Sequence, residues 1–261
     1  MRIRSLGYRT DLMIRLLEGS RVEDRGDYLA IRSPQNPTFY WGNFLLLAKP
    51  PEAGETGAWL AQFAAEFPAA HYVALGIDVT EISGVDVEAF VSAGLRLERS
   101  SVMTAREVHE PPRSYSDATY RELTGDDDWQ QAKELRTIVS KGEPAADTSF
   151  LAAKIASERA LTDGGHGSWF GAFVQGKLVA HLGLVTDGSG IARYQNVETH
   201  PDWQRKGLAG TLVWRAGQLA LDGMASTLVM VADPDYLAIP VYRSVGFIDA
   251  ETQVGFERRS G

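Results

Sequence analysis

Asn196-Val-Glu-Thr-His-Pro-Asp-Trp-Gln-Arg-Lys-Gly-Leu-Ala-Gly-Thr-Leu212 passes from a strand through a loop into a helix. Leu208, Leu212, Val213, Ala216, Leu219 and Ala220 recur at helical spacing, so the helix packs one face on a core. Its opening turn is left to meet solvent or a ligand. Gly207, with the small Ala209 and Gly210, lets the backbone approach a ligand closely, while the first helical N–H groups lack partners and carry partial positive charge. Such a start takes an anion. Arg205 and Lys206 add formal charge beside it, which suits a pyrophosphate better than a single carboxylate. The bland alternative is a tight loop with a solvated basic rim. The run has neither the second glycine and Gly-Lys-Ser/Thr of a triphosphate loop nor the spaced glycines of a dinucleotide fold.

Working outward, Glu107 to Asp117 contains adjacent prolines that continue neither a helix nor a central strand, and reads as a linker. It divides the chain into a domain over 1–110 and another over 115–261. Past the linker, Asp126-Asp127-Asp128 reads as a helix N-cap, followed by helices to about Ser140 and from about Thr148 to Leu161. Ser168 to Val174 and Lys177 to Val185 flank the short turn Gln175-Gly176, the signature of a hairpin. A strand at Ile191 to Thr199, a helix from about Gly207 to Leu221, a strand at Thr227 to Ala232, a helix near Tyr236 to Ser244 and a strand around Gln253 to Arg258 follow. Before the linker, helices are expected at Asp11 to Glu18, Gly57 to Phe67 and Val85 to Ser92. Strands are expected at Asp27 to Ser33, Phe39 to Leu47, His71 to Ile77 and Leu95 to Ala105. Mixed α and β order in both halves predicts sheets covered by helices.

Bulk properties narrow the function. Hydrophobic residues at 44% and charged residues at 23% are the balance of an ordinary globular protein. No cysteine is present, which excludes disulfides, thiolate zinc sites and cysteine nucleophiles. A net charge of -8 argues against general nucleic-acid binding and favours a cationic or amine-bearing partner. Apolar runs such as Phe44 to Ala48 are too short to span a bilayer, and the start lacks a basic-then-apolar signal layout, so a cytoplasmic protein with no membrane partner is expected.

Gln204-Arg205-Lys206-Gly207-Leu208-Ala209 resembles the Gln/Arg-x-x-Gly-x-Gly/Ala pyrophosphate loop of the GNAT superfamily of acyl-coenzyme A dependent acetyltransferases, at every specified position. Asn196 to Pro201 resembles that family's splayed strand, whose backbone pairs with the pantetheine arm. Asp235-x-x-Ala238-x-x-x-Tyr242-x-x-x-Gly246-Phe247 resembles its second motif. The likeness spans about Tyr120 to Arg258. It implies an α/β fold with a mixed, mostly antiparallel sheet flanked by helices, acetyl-CoA as co-substrate, no metal, and a small-molecule or peptide amine as acceptor. By the same resemblance Val197, Thr199, Gln204, Arg205, Lys206, Gly207, Leu208, Ala209, Gly210, Thr211, Asp235 and Ala238 contact the cofactor. Asp235 departs from the usual Asn.

Acetyl transfer to an amine needs a neutral amine, a polarised carbonyl and a proton for the leaving thiolate. The resemblance makes Tyr242 the proton donor, and a backbone N–H near Val197 would polarise the carbonyl. Glu198 is a candidate base, directly or through water, although alternation sets it opposite Val197 and Thr199 and leaves open which face meets the cleft. Arg193 stands where some relatives carry a basic carboxylate. His166 reads as an exposed loop residue, His181 as a hydrogen-bonded sheet residue, and His200 as shaping the loop before Pro201. A catalytically weak acyl-CoA binding or regulatory module is the alternative function.

The first half resembles a degenerate copy of the same fold. Where a phosphate loop would fall it reads Ala48-Lys-Pro-Pro-Glu-Ala-Gly-Glu-Thr-Gly57, in which prolines delete donors and glutamates repel phosphate. Tyr40, Trp41 and Trp59 there read as core aromatics in preference to an acceptor-binding surface. A monomer or homodimer is expected.

Overall fold

The computed structural model describes residues 1–37, 39–140, 148–223 and 225–259. The chain forms two compact units: one of Met1–Val102, Val231–Pro234 and Asp249–Gly261, the other of Met103–Met230 and Asp235–Ile248. The division falls inside a strand rather than in the linker, and the last strand belongs with the first unit.

In the first unit, α1 (Leu6–Leu17) leads into β1 (Arg21–Asp24), β2 (Tyr28–Arg32), a 3-10 turn at Tyr40–Gly42, β3 (Phe44–Leu47), α2 (Thr56–Glu66), β4 (Val73–Ile77), α3 (Val87–Ser92) and β5 (Arg96–Ala105). The chain returns as β11 (Ile248–Arg258), giving the strand order β1-β2-β3-β4-β11-β5. β3 and β4 are parallel; β1–β2, β2–β3 and β4–β11 are antiparallel. The Asp78 carboxylate accepts from Arg4 N at 3.0 Å and Ser5 N at 2.9 Å, fixing the start of α1. Gly76 and Gly255 face each other in register on β4 and β11. A Cβ on Gly76 would lie 2.6 Å from the Tyr8 hydroxyl, and one on Gly255 would lie 2.4 Å from Trp41, so the paired glycines form the slot these rings occupy. Tyr8 then donates to Val254 O at 2.7 Å. The strand expected over Phe39 to Leu47 is shortened by the 3-10 turn, which stacks Tyr40 on Tyr72 at 4.3 Å. Tyr40, Trp41 and Trp59 pack against the core.

The second unit comprises β6 (Thr119–Glu122), α4 (Gly125–Val139), α5 (Thr148–Asp163), β7 (Gly167–Val174), β8 (Lys177–Val185), β9 (Ile191–Thr199), a 3-10 turn at Pro201–Trp203, α6 (Leu208–Asp222), β10 (Thr227–Ala232) and α7 (Ile239–Val245). Its strands run β10-β9-β8-β7-β6, all antiparallel except β9 with β10. Both units thus carry mostly antiparallel sheets with helices, the mixed α/β class expected. The β7–β8 turn has Gln175 at φ 50 and Gly176 at φ 79, two positive values as a tight hairpin turn requires. Trp169 faces Gly183 across that hairpin, and a Cβ on Gly183 would come within 2.4 Å of the indole. Trp169 is buried against this glycine.

Two readings are corrected in detail. The α4 N-cap is Thr124, and of the three aspartates it is Asp128 that accepts from Thr124 N, at 2.7 Å, while also holding Arg121. Leu219, expected on the packed face of α6, is 58% exposed; the buried stripe is Leu208, Leu212, Val213, Ala216 and Gly217.

Candidate functional site

The parallel pairing of β9 with β10 covers Ile191 to Arg193 against Thr227 to Val229 and ends there. β9 runs on to Thr199, held among the described residues by β8 alone on its other side. Val197, Glu198 and Thr199 lie on this extension, half-buried. Between the pairs His181↔Glu198 and Gly183↔Gln195, Leu182 of β8 is opposed by two β9 residues, Asn196 and Val197. This is a β-bulge, and its first residue, Asn196, has φ 48. Asparagine tolerates that left-handed backbone better than most residues. A bulge at a strand's free margin re-aims the amides that follow it.

The strand then turns through Pro201–Trp203, where His200 Nδ1 accepts from Asp202 N at 3.2 Å; His200 shapes the loop. Gln204 donates back to Thr199 O at 3.4 Å, tying loop to strand, and Lys206 lies over the Trp203 ring at 4.2 Å. Arg205 adopts φ 58 and Gly207 φ 94, directly before α6. Thr211 N is the amide that bonds back to Gly207 O, so the N–H groups of Leu208, Ala209 and Gly210 precede the helix ladder. A left-handed residue followed by helical ones makes such amides converge into an anion-binding concavity.

Several side chains in this motif do other work than a ligand-facing reading of the motif expects. A Cβ on Gly207 would meet Arg113 O at 2.6 Å, and one on Gly210 would meet Pro111 and Val241 at 3.2 Å. The close approach these glycines permit is therefore to the linker and to α7. The reason is local: residues 111–115 cross the first turn of α6, and Tyr115 N donates to Thr211 Oγ1 at 3.2 Å. Thr211 also donates to Gly207 O at 2.9 Å, and Leu208 is 1% exposed in the core, so both are structural as side chains. Gln204 and Arg205 are the exposed side chains that lead into this turn.

Behind β9, α4 and α5 supply a buried ionic network that sequence reasoning missed. Arg136 Nε donates to Glu198 Oε1 at 3.0 Å and Oε2 at 3.2 Å, while its Nη1 donates to Glu158 Oε1 at 2.7 Å. His181 Nε2 meets Glu198 Oε2 at 2.9 Å, and Asn196 Nδ2 donates to Glu158 Oε1 at 2.6 Å. Arg136, Glu158 and His181 are buried, whereas the Glu198 side chain keeps 16% exposure. Burial pushes the Glu198 carboxyl up, but the His181 hydrogen bond and the charges of His181 and Arg136 outweigh it and hold it below the ordinary glutamate range. Nothing in the sequence singled out Arg136 or Glu158, because each sits on a helix rich in charged residues. His181 is the hydrogen-bonded sheet residue expected.

Tyr242 lies on α7 with 2% exposure, and burial, with a smaller push from Tyr236, raises its phenol well above the usual value. α7 packs on α6, with Val241 beside Gly210. Asp235 is exposed ahead of α7, and Ala238 is its N-cap. Among the described residues no cluster suits a metal ion, and no helix is long and apolar enough to cross a membrane.

Residues 126–247 match the model of the Acetyltransferase (GNAT) family. No curated protein matches this chain in sequence. Among solved structures it is similar to a GCN5-related N-acetyltransferase from Kribbella flavida, with 16% identity, 98% of this chain and 95% of that chain covered, and a TM-score of 0.66. A GCN5-related N-acetyltransferase from Sphaerobacter thermophilus shares 19% identity over 90% of this chain and 82% of its own, with a TM-score of 0.61. A tandem GNAT protein from the clavulanic acid biosynthesis pathway shares 15% identity over 95% and 88%, with a TM-score of 0.57. At these identities the likeness is one of fold.

Proposed function

We propose that the chain is an acyltransferase that moves the acetyl group of acetyl-CoA to an amine by direct attack, a reading supported by the match of residues 126–247 to the GNAT acetyltransferase family model. The observation that carries this reading is the joint placement of the free β9 extension and the amide-lined start of α6, linked by Gln204 to Thr199 O at 3.4 Å. Acetyl-CoA is the co-substrate. Its pantetheine arm would lie along the backbone of Val197 and Thr199, and its pyrophosphate against the amides of Leu208, Ala209 and Gly210 with Gln204, Arg205 and Lys206 at the rim. Asp235 and Ala238 would flank the arm from the side of α7.

The amine nitrogen bonds to the acetyl carbon while a β9 amide at the bulge, near Val197, takes up charge on the carbonyl oxygen. The carbon–sulfur bond then breaks. Tyr242 donates its phenolic proton to the leaving thiolate, the role its place in the second motif suggests. Glu198, whose side chain keeps 16% exposure while Arg136, Glu158 and His181 are buried, collects the proton released by the amine, directly or through water.

Free thiol release from acetyl-CoA over a panel of amines tests the proposal. Turnover with some amine, and a fall of roughly 10²-fold or more in kcat for Tyr242→Phe with acetyl-CoA affinity kept, is the expected outcome. A second reading, an acyl-CoA binding or regulatory module, is favoured by the clamping of Glu198 by Arg136, which makes it a weak proton acceptor. Calorimetric binding of acetyl-CoA without turnover on any amine would establish that reading instead.

For the first unit, we propose a degenerate GNAT-like copy that does not bind the cofactor. The glutamates of its 48–57 loop support this, since Glu55 stands as the N-cap of α2. The setting for both units is that of a cytoplasmic protein, as a monomer or homodimer.

A further inference from the structure

Two features of β9 that the proposed reaction uses, the Glu198 carboxylate and the bulge at Asn196, are both restrained by one ion pair on the helices behind the strand. Arg136 of α4 and Glu158 of α5 are bonded to each other at 2.7 Å. From that pair Arg136 reaches Glu198 with its Nε, and Glu158 receives Asn196 Nδ2 at 2.6 Å. We propose that Arg136 and Glu158 are positioning residues of the site: they set the aim of the amides after the bulge through Asn196 and the placement of the proton-collecting carboxylate through Glu198. This rests on the acetyl-transfer reading above.

A non-glycine residue at φ 48 is a conformation that the chain alone does not favour, so surrounding contacts must hold it. Backbone pairing is weakest there, since one β8 residue opposes two of β9 and the pairing to β10 has already ended. The side-chain amide of Asn196 is thus the fixed point of the bulge, and its anchor is Glu158. That anchor is itself immobile. Glu158 is 2% exposed, accepts from both Arg136 and Asn196 through Oε1, and leaves Oε2 buried with no hydrogen-bond partner among the described residues. Arg136, 3% exposed, likewise spends Nε and Nη1 on the two glutamates and leaves Nη2 without a partner. Burial of both side chains in a close-packed interior leaves them little room to move. Merely keeping a salt bridge buried does not require that its two ends also grip Asn196 and Glu198, two residues apart on one strand. His181, wholly buried, closes the arrangement by holding Glu198 from β8.

The unpartnered Oε2 supplies a clean test. Glu158→Gln places its amide nitrogen where Oε2 has no bond and keeps the oxygen that receives Arg136 and Asn196. Glu158→Leu removes both bonds, and Asn196→Gly keeps the left-handed backbone while removing the tether. Amide hydrogen exchange across residues 195–199 is measured on the full chain beside kcat, KM for acetyl-CoA and the melting temperature. Asn196→Gly and Glu158→Leu are expected to speed exchange there at least ~10-fold and to lower kcat ~10-fold or more, with KM for acetyl-CoA within ~2-fold. Glu158→Gln should stay near wild type in both. Unchanged exchange in Asn196→Gly, or a Gln variant as impaired as the Leu variant, overturns the inference. Should Glu158→Leu fail to fold, Asn196→Gly against Glu158→Gln decides alone. Absence of turnover in the wild type would remove the acetyl-transfer reading, while the exchange measurement still decides whether the pair holds the bulge.

Discussion

Replacing Gly207 with alanine separates two roles that a glycine before a phosphate-binding helix can have. The new Cβ would stand 2.6 Å from Arg113 O, 3.1 Å from Arg113 C and 3.3 Å from Ser114 C, all backbone atoms that yield only if the linker shifts. Overpacking of this kind costs about 1–3 kcal/mol. At φ 94 the alanine also carries the left-handed penalty, about 1–2 kcal/mol. The sum, about 2–5 kcal/mol, is a sizeable part of a domain's usual stability and corresponds to a melting temperature lower by on the order of 10 °C. Circular dichroism melts of Gly207→Ala and Gly176→Ala measure the parts. Gly176 has φ 79 and nothing within 4 Å of its would-be Cβ, so it reports strain without contact and should fall by only a few degrees, about 2–4 °C per kcal/mol. Equal melting temperatures for the two variants would refute the linker contact. Loss of acetyl-CoA binding by Gly207→Ala at an unchanged melting temperature would mean that this glycine faces the ligand.

Other outcomes follow from the same geometry. Gly183→Ala drives a Cβ to 2.4 Å from the Trp169 indole and should destabilise the second unit by about 1–3 kcal/mol in denaturant titration, with tryptophan fluorescence reporting the displaced ring. Arg136→Met leaves Glu158 and Glu198 buried without their cation and should cost about 3–5 kcal/mol. The Glu198 carboxyl, held below the ordinary value of about 4.3, adds stability above that pH and loses it as pH falls through its folded value. Unfolding measured between pH 3 and pH 7, roughly the span over which glutamates titrate, should therefore show a steeper acid loss in wild type than in Arg136→Met. A parallel pair of curves would detach Glu198 from Arg136.

The order of elements was legible because periodicity and turn chemistry are local. Gln175-Gly176 announced the β7–β8 hairpin, and the apolar spacing after Gly207 announced α6. β1 and β6 were not legible: Arg-Val-Glu-Asp and Thr-Tyr-Arg-Glu are four-residue strands at sheet margins with little apolar alternation. At the site, the pattern read as a phosphate loop marks the stretch that opens α6, where Cβ atoms on Gly207 and Gly210 would meet the linker and α7. Its spacing records that a Cβ is excluded, not what excludes it. The Arg136–Glu158 pair was invisible for a related reason, since a charged residue on a mixed helix looks the same in sequence whether it faces water or another charge. Placement of β11 beside β4 is likewise a long-range pairing, with Phe256 set opposite Leu75, that no local pattern encodes.

That pairing bears on how the molecule comes into being. As the polypeptide emerges from the ribosome, β1 to β4 are synthesised long before residues 248–258, yet β11 lies between β4 and β5 and carries the Val254 carbonyl that Tyr8 binds. Until translation reaches that stretch, the early half has an open slot lined by Val73 to Ile77, an unsatisfied strand margin of the sort that chaperones shield. A premature stop after α7 would leave the motif-bearing half intact in sequence and cripple the half made first.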